Sequence, residues 1–143
     1  MAGGTDTRRI LRELSGLIRQ LTRITGGPDE GPAMTNTQRL ALYELALEGP
    51  RRLNDLADRM GVSAPTASRA VDALVDLGLV ERVPDQTDRR ALQIDVTTAG
   101  RKRADEREAL VSAAFAPAVA KLSRAEREQL RELLARLTAS LRP

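Results

Sequence analysis

Cysteine, histidine and tryptophan are absent from the 143 residues, and aromatic side chains are reduced to one tyrosine, Tyr43, and one phenylalanine, Phe115. Without cysteine there are no disulfides and no thiolate nucleophile. Without histidine there is no imidazole base, and the usual nitrogen and sulfur ligands of a tetrahedral zinc site are gone as well. No metal, no cofactor and no enzymatic activity are therefore expected. Long apolar runs are also missing: Met1 to Arg9 holds no apolar stretch behind a basic one, and no segment approaches the roughly 18 apolar residues of a membrane span. The expectation is a soluble, cytoplasmic protein that does not engage a membrane.

What the chain does hold is aliphatic and charged. The hydrophobic fraction is 41% with 1% aromatic, so the core must be built of Leu, Val, Ile and Ala, a composition that favours helices. Lys plus Arg number 23 against 20 acids, for a net charge of +3, and all but Lys102 and Lys121 are arginine, the better residue for forked contacts to phosphate. This excess is too small to argue for a nucleic-acid partner by itself, because a solvated, salt-bridged helix surface has the same balance.

Periodicity divides the chain into helices around one short hairpin. Ile10, Leu11, Leu14, Leu17, Ile18, Leu21 and Ile24 make a helical stripe over Thr7 to Ile24, broken at Gly26, Gly27 and Pro28, with a flexible connection through Gly31 and Pro32. Thr35 and Gln38 have capping-box spacing and open a second helix that ends at Gly49 and Pro50, with Leu40, Leu42, Tyr43, Leu45 and Ala46 as its apolar contacts. A short helix with Leu53, Leu56, Ala57 and Met60 stops at Gly61. Ser63 then caps a helix whose buried side is Ala67, Ala70, Val71, Leu74 and Val75, ending before Gly78. Leu79, Val80 and Val83, a polar turn over Pro84 to Arg90, and Leu92, Ile94 and Val96 in alternation predict a two-stranded hairpin. The rest is helical, with a stripe of Val111, Phe115, Ala118, Val119 and Leu122, a kink or break expected at Pro117, and a last helix capped by Ser123 and Glu126 that carries Leu130, Leu133, Leu134, Leu137 and Leu141.

The order helix, glycine turn, helix, hairpin between Leu53 and Val96 is the informative feature. In a helix-turn-helix the first helix braces the second, whose outward N-terminal residues enter a major groove wide enough to admit it. Pro65, Thr66, Ser68, Arg69 and Asp72 stand opposite Ala67, Val71 and Leu74. Ser63 caps the helix, the small groups allow close approach, Thr66 and Ser68 can bond to bases or phosphates, and Arg69 can fork onto guanine or phosphate. Asp88, Arg89 and Arg90 sit at the hairpin tip, where an arginine can enter a narrow minor groove and gain from its negative potential. Asp88 could hold one guanidinium and so preorganise the other. Taken singly, each group is also what a solvated surface shows; their company gives them meaning.

The run from Asp85 to Gly100, D-Q-T-D-R-R-A-L-Q-I-D-V-T-T-A-G, resembles the wing signature of the multiple antibiotic resistance regulator (MarR) family, D-x-R-D-R-R followed after a short strand by L-T-x-x-G. Both aspartates, the arginine pair, Thr97 and Gly100 agree, while Thr87 stands for an arginine and Val96 for a leucine. Leu56, Ala57, Gly61, Val62, Ser63, Arg69, Val71, Leu74 and Gly78 to Arg82 extend the likeness. It implies a mainly α (α+β) fold: a winged helix-turn-helix lobe over 35–97 with a two-stranded wing, flanked by dimerisation helices over 1–34, with a linker, and 98–143. It further implies a homodimeric regulator, in the repressor role, that binds a pseudo-palindromic site in double-stranded DNA with Arg90 favoured for the minor groove. A small-molecule effector is also implied, for which Tyr43 and Phe115 are the only rings that could line a pocket.

Two other readings are weighed against this. A winged helix can bind protein instead of DNA, since fold does not fix function. An enzyme built on carboxylates alone would use Asp85, Asp88 and Asp95, but beside arginines on an exposed turn these are expected to stay ionised, unsuited to acid catalysis. Over residues 51–90 there are seven arginines and seven acids, so any DNA affinity has to come from a few placed arginines and not from a basic patch.

Overall fold

A computed structural model of the chain describes residues 2–26 and 31–141. It contains, among these residues, six helices and one two-stranded antiparallel sheet: α1 Ala2–Thr25, α2 Asn36–Glu48, α3 Leu53–Met60, α4 Ala64–Asp76, β1 Val80–Pro84, β2 Leu92–Val96, α5 Thr98–Val119 and α6 Arg124–Leu141. The chain forms two compact units, one of residues 28–108 and one of residues 1–27 with 109–143.

The first unit is the winged helix-turn-helix. Its core is aliphatic throughout: Leu42 and Leu45 of α2, Leu56 and Met60 of α3, Val71 and Leu74 of α4, Leu79 and Val80 entering β1, and Ile94 of β2 are buried together with Met34 and Ala41. Local signals set the helix ends. Thr35 accepts the Gln38 N–H at 3.2 Å while Gln38 Oε1 accepts the Thr35 N–H at 3.0 Å, the reciprocal box expected from their spacing. Gly61, in left-handed conformation at φ 66°, donates to the Asp58 carbonyl and Val62 to the Ala57 carbonyl, both at 3.1 Å. This pair of bonds closes α3 and turns the chain into α4 at no Cβ cost. β1 and β2 pair from Val80 with Val96 to Pro84 with Leu92. One pairing was not anticipated: Arg51 bridges Ile94, its N–H donating to the Ile94 carbonyl at 3.1 Å and its carbonyl accepting the Ile94 N–H at 2.7 Å. The residues just before α3 thus line the outer edge of β2.

Three expectations on this unit are corrected. Leu40 is 47% exposed, because the core face of α2 is set by Ala41, Leu42 and Leu45, one position round the helix. Leu92, at the wing end of β2, is 54% exposed, since the core is reached by Ile94 and, in part, Val96 farther along the strand. Asp85 is buried at 4% exposure and not a solvated turn residue.

In the second unit, α1 starts five residues before the expected Thr7, since helical hydrogen bonding runs on past the end of an apolar stripe. The break expected at Gly27 and Pro28 lies outside the described residues. Pro117 does not split α5, which runs through it to Val119: in the last turn the missing N–H removes a single ladder bond. Ser123 and Glu126 form the expected box before α6, with bonds of 2.7 and 3.2 Å. No residue of α6 is buried, and Ile10, Leu11, Leu14, Leu17, Ile18 and Ile24 of α1 are all exposed. No described helix is long and apolar enough to cross a membrane.

Candidate nucleic-acid interface

The front of α4 is built by its cap. Ser63 Oγ accepts the Thr66 N–H at 3.3 Å and lies 2.8 Å from Thr66 Oγ1, so the two hydroxyls share one proton and leave the other free to donate outward. Pro65 stands in the first turn, where its missing N–H costs nothing. Ser63, Pro65 and Arg69 are exposed and Thr66 and Ser68 half-buried, while Ala67, Val71 and Leu74 face the core. All five residues singled out on this helix therefore lie at its outward or flanking surface. Asp72, one turn beyond Arg69, is paired with Arg82 of β1. Its negative charge is neutralised on the same face that would meet a phosphate.

At the tip of the wing Asp88 Oδ1 accepts the Arg90 N–H at 3.1 Å, an Asx turn that fixes the backbone there. The Arg90 side chain is 95% exposed, with its Nε 3.5 Å from the same oxygen, and Arg89 is exposed as well. Asp88 thus orders the tip through the main chain more than through a guanidinium. Below the tip, Thr87 is exposed but turns both donors onto Asp85: its N–H and hydroxyl donate to Asp85 Oδ1 at 2.9 Å, and Arg52 Nε donates to Asp85 Oδ2 at 2.7 Å. The role of the threonine that replaces an arginine in the wing pattern is here structural. Neither Asp85 as a buried acceptor nor Arg52 as its partner was found from sequence, because the two are 33 residues apart.

The Thr87 backbone N–H, then the Arg52 guanidinium and the Thr87 hydroxyl, hold the Asp85 carboxyl well below the usual carboxylate range, against the effect of burial. A lowered folded-state pKa stabilises the fold fully above the ordinary value of about 3.9, and that contribution is lost as pH falls toward the folded-state value. Wild type should thus exceed Asp85→Asn in stability at pH 7, with the gap closing steadily below about pH 4. Urea midpoints at several pH values measure it, and a gap independent of pH would contradict the assignment.

The arginines of residues 51–90 divide sharply. Arg51, Arg52, Arg59 and Arg82 each lie within 3.3 Å of a carboxylate, those of Asp55, Asp85, Glu44 and Asp72 respectively. Among the described residues Arg69 and Arg89 make no ion pair, and Arg90 makes only the long contact to Asp88. The cations left over stand on α4 and at the wing tip.

A model of the MarR family matches residues 34–91, which span α2 through the wing loop. The chain is 34% identical to a solved probable transcriptional regulator from Pseudomonas aeruginosa, with a TM-score of 0.61 over 90% of this chain and 93% of that one. The chain belongs to the MarR family. Another solved relative, RV1404 from Mycobacterium tuberculosis, is 28% identical with a TM-score of 0.78, covering 100% of this MarR-family chain and 97% of its own. An HTH-type transcriptional regulator of Mycobacterium tuberculosis is similar too, 29% identical over 123 residues that make up 86% of each chain. Family membership makes the chain a DNA-binding transcription regulator, and the expected winged helix-turn-helix is the observed fold. Tyr43 is half-buried on α2 and Phe115 half-buried on α5, in different compact units.

Proposed function

We propose that the protein is a homodimeric repressor that binds a pseudo-palindromic operator, with the first turns of α4 in the major groove and the wing tip in the adjacent minor groove. The observation that carries this reading is the division of the arginines. Over residues 51–90, where arginines and acids balance, Arg69 and Arg89 make no ion pair among the described residues and Arg90 makes only its 3.5 Å contact to Asp88, and all three stand on the two elements that would enter DNA. Ser63, Pro65, Thr66 and Ser68 supply the close-packing and hydrogen-bonding surface around Arg69, and Asp88 holds the backbone on which Arg90 reaches outward. Tyr43 and Phe115, each half-buried in its own unit, are separate candidates to contact a small-molecule effector.

The twofold assembly rests on the other unit. Exposed apolar side chains on α1 and Leu130, Leu133, Leu134, Leu137 and Leu141 on α6, between 38 and 83% exposed, form more apolar surface than a soluble monomer carries. A second copy presenting the same faces covers it symmetrically. Occupation of the operator then excludes other proteins from that stretch of DNA, which is repression.

Selection of duplexes from a randomised pool by the full chain tests the reading. The expected product is an inverted repeat whose half-sites are centred about one helical turn, about 34 Å, apart, bound by a species of twice the chain mass in sedimentation. Because arginines do not outnumber acids over residues 51–90, binding to random duplex at physiological salt should be weak. A strictly monomeric protein, or a pool with no enrichment at low ionic strength, would sink the reading.

A further inference from the structure

We propose that Asp85, clamped by Arg52 and Thr87, is a positioning residue for the wing: it sets the direction of the Arg89 and Arg90 tip relative to α4, and with it the base-pair preference read by the wing. This deepens the proposed DNA-binding function and rests on it.

Asp85 is the first residue after β1, and its N–H donates to the Ala91 carbonyl at 2.9 Å. The loop 86–91 hangs from that pair, so Asp85 sits at the hinge of the wing. A simple Asx turn would need only the Thr87 N–H. Here both carboxylate oxygens are engaged, Oδ1 by the two Thr87 donors and Oδ2 by Arg52, and the side chain is 5% exposed. A buried carboxylate with one partner removed is costly, so the three donors hold or fail together.

Arg52 makes the arrangement tertiary. It is the residue before α3, and its neighbour Arg51 is the one bridged to Ile94. The pair of residues therefore grips the wing twice, at β2 through the main chain and at the end of β1 through the Arg52 side chain. From there the path to α4 is rigid: Leu56 and Met60 of α3 share the core with Val71 and Leu74 of α4. Asp85, Arg52, α3 and α4 form one continuous frame.

The lever matters for reading DNA. The tip arginines lie four and five residues along a bent loop, and with the length of the side chain their reach beyond Asp85 is on the order of 10 Å. About 20° of play at the hinge then displaces the tip by over 3 Å, half the roughly 6 Å width of a minor groove. An arginine with that freedom still finds phosphates but no longer discriminates groove width.

The probe is the duplex that wild type enriches from a randomised pool, with a panel carrying single base-pair changes, and binding is followed by anisotropy. Asp85→Asn and Thr87→Val should each weaken binding by about tenfold. They should also flatten the penalties at the outer base pairs under the wing while leaving those at the Arg69-dependent pairs unchanged. Thr87→Ser, which keeps the hydroxyl, should restore both. A DNA-free measurement accompanies this: trypsin cleavage after Arg89 and Arg90, read by mass spectrometry, should be about tenfold faster in Asp85→Asn with helical circular dichroism preserved, because cleavage follows the open population. Unchanged penalties, a uniform loss at every position, or Thr87→Ser behaving like Thr87→Val would overturn the positioning role. If wild type enriches no duplex, the DNA-binding reading fails instead, and an unchanged cleavage rate then overturns the clamp on its own.

Discussion

Gly100→Ala is expected to destabilise the winged lobe by about 3 kcal/mol or more, the upper range for forcing an atom into a packed site. The sign is the reverse of the usual one, since alanine inside a helix is ordinarily better than glycine by up to about 1 kcal/mol. A Cβ on Gly100 would stand 1.9 Å from the Leu79 carbonyl oxygen, 2.9 Å from its carbon and 3.3 Å from its Cα. All three atoms are backbone, so no side-chain rotation relieves the clash. Nor is Leu79 free to move: its N–H donates to the Leu74 carbonyl at 2.9 Å, closing α4, and its carbonyl accepts the Thr97 N–H at 3.1 Å. Thr97 in turn donates to the Gly78 carbonyl at 2.6 Å and caps α5 by accepting the Gly100 N–H at 3.1 Å. Pushing α5 away would break the bonds that join α4, the wing and α5. Urea denaturation of both proteins gives the difference, and a midpoint shift worth less than about 0.5 kcal/mol would show that the approach is not as close as described.

The contrast between Gly100 and Asp85 shows how much of this molecule is readable in one dimension. Where cause and effect lie within a turn, the residues announce themselves: Thr35 with Gln38, Ser63 with Thr66, Ser123 with Glu126, and the glycines that end α3 and α4. The core stripe on α4 was equally plain, because Ala67, Ala70, Val71 and Leu74 repeat at helical spacing. Leu40 and Leu92 misled because periodicity gives the hydrophobic side of an element but not where the neighbouring element stops covering it. Gly100 could be seen to matter by its place in the wing pattern, yet the reason lies 21 residues away in the Leu79 carbonyl. Asp85 was legible only as an ionised acid. That it is buried, and that Arg52 is its partner, follows from Arg51 docking on β2, a contact with no local signal. The same holds for the arginine surface: seven against seven predicts neutrality, but which guanidiniums remain free depends on pairs made between elements.

The largest functional effect is expected from Arg69→Ala. A forked arginine contact to a base contributes about 1–3 kcal/mol, and a twofold dimer loses it in both half-sites. The sum is roughly 2–6 kcal/mol, or about thirtyfold to twenty-thousandfold in affinity for the selected duplex. Nothing in the fold opposes the substitution: the side chain is exposed and makes no ion pair among the described residues, so the urea midpoint should stay within about 0.5 kcal/mol of wild type. Arg90→Ala should cost less, because the minor groove offers a degenerate pattern and Arg89 remains beside it. Removing both tip arginines should approach the Arg69 effect. Titrations over a range of salt separate the two modes of contact. If Arg69 reads a base, its loss relaxes preference at one symmetric pair of positions and leaves the salt dependence nearly intact; if it holds a phosphate, the slope falls by about one ion per subunit with every sequence weakened alike. Arg59→Ala is the control, since that guanidinium is already engaged by Glu44 at 3.2 Å and Asp55 at 3.6 Å. Should Arg59→Ala weaken DNA binding as much as Arg69→Ala at unchanged stability, the division of the arginines would not be what selects the DNA-binding surface.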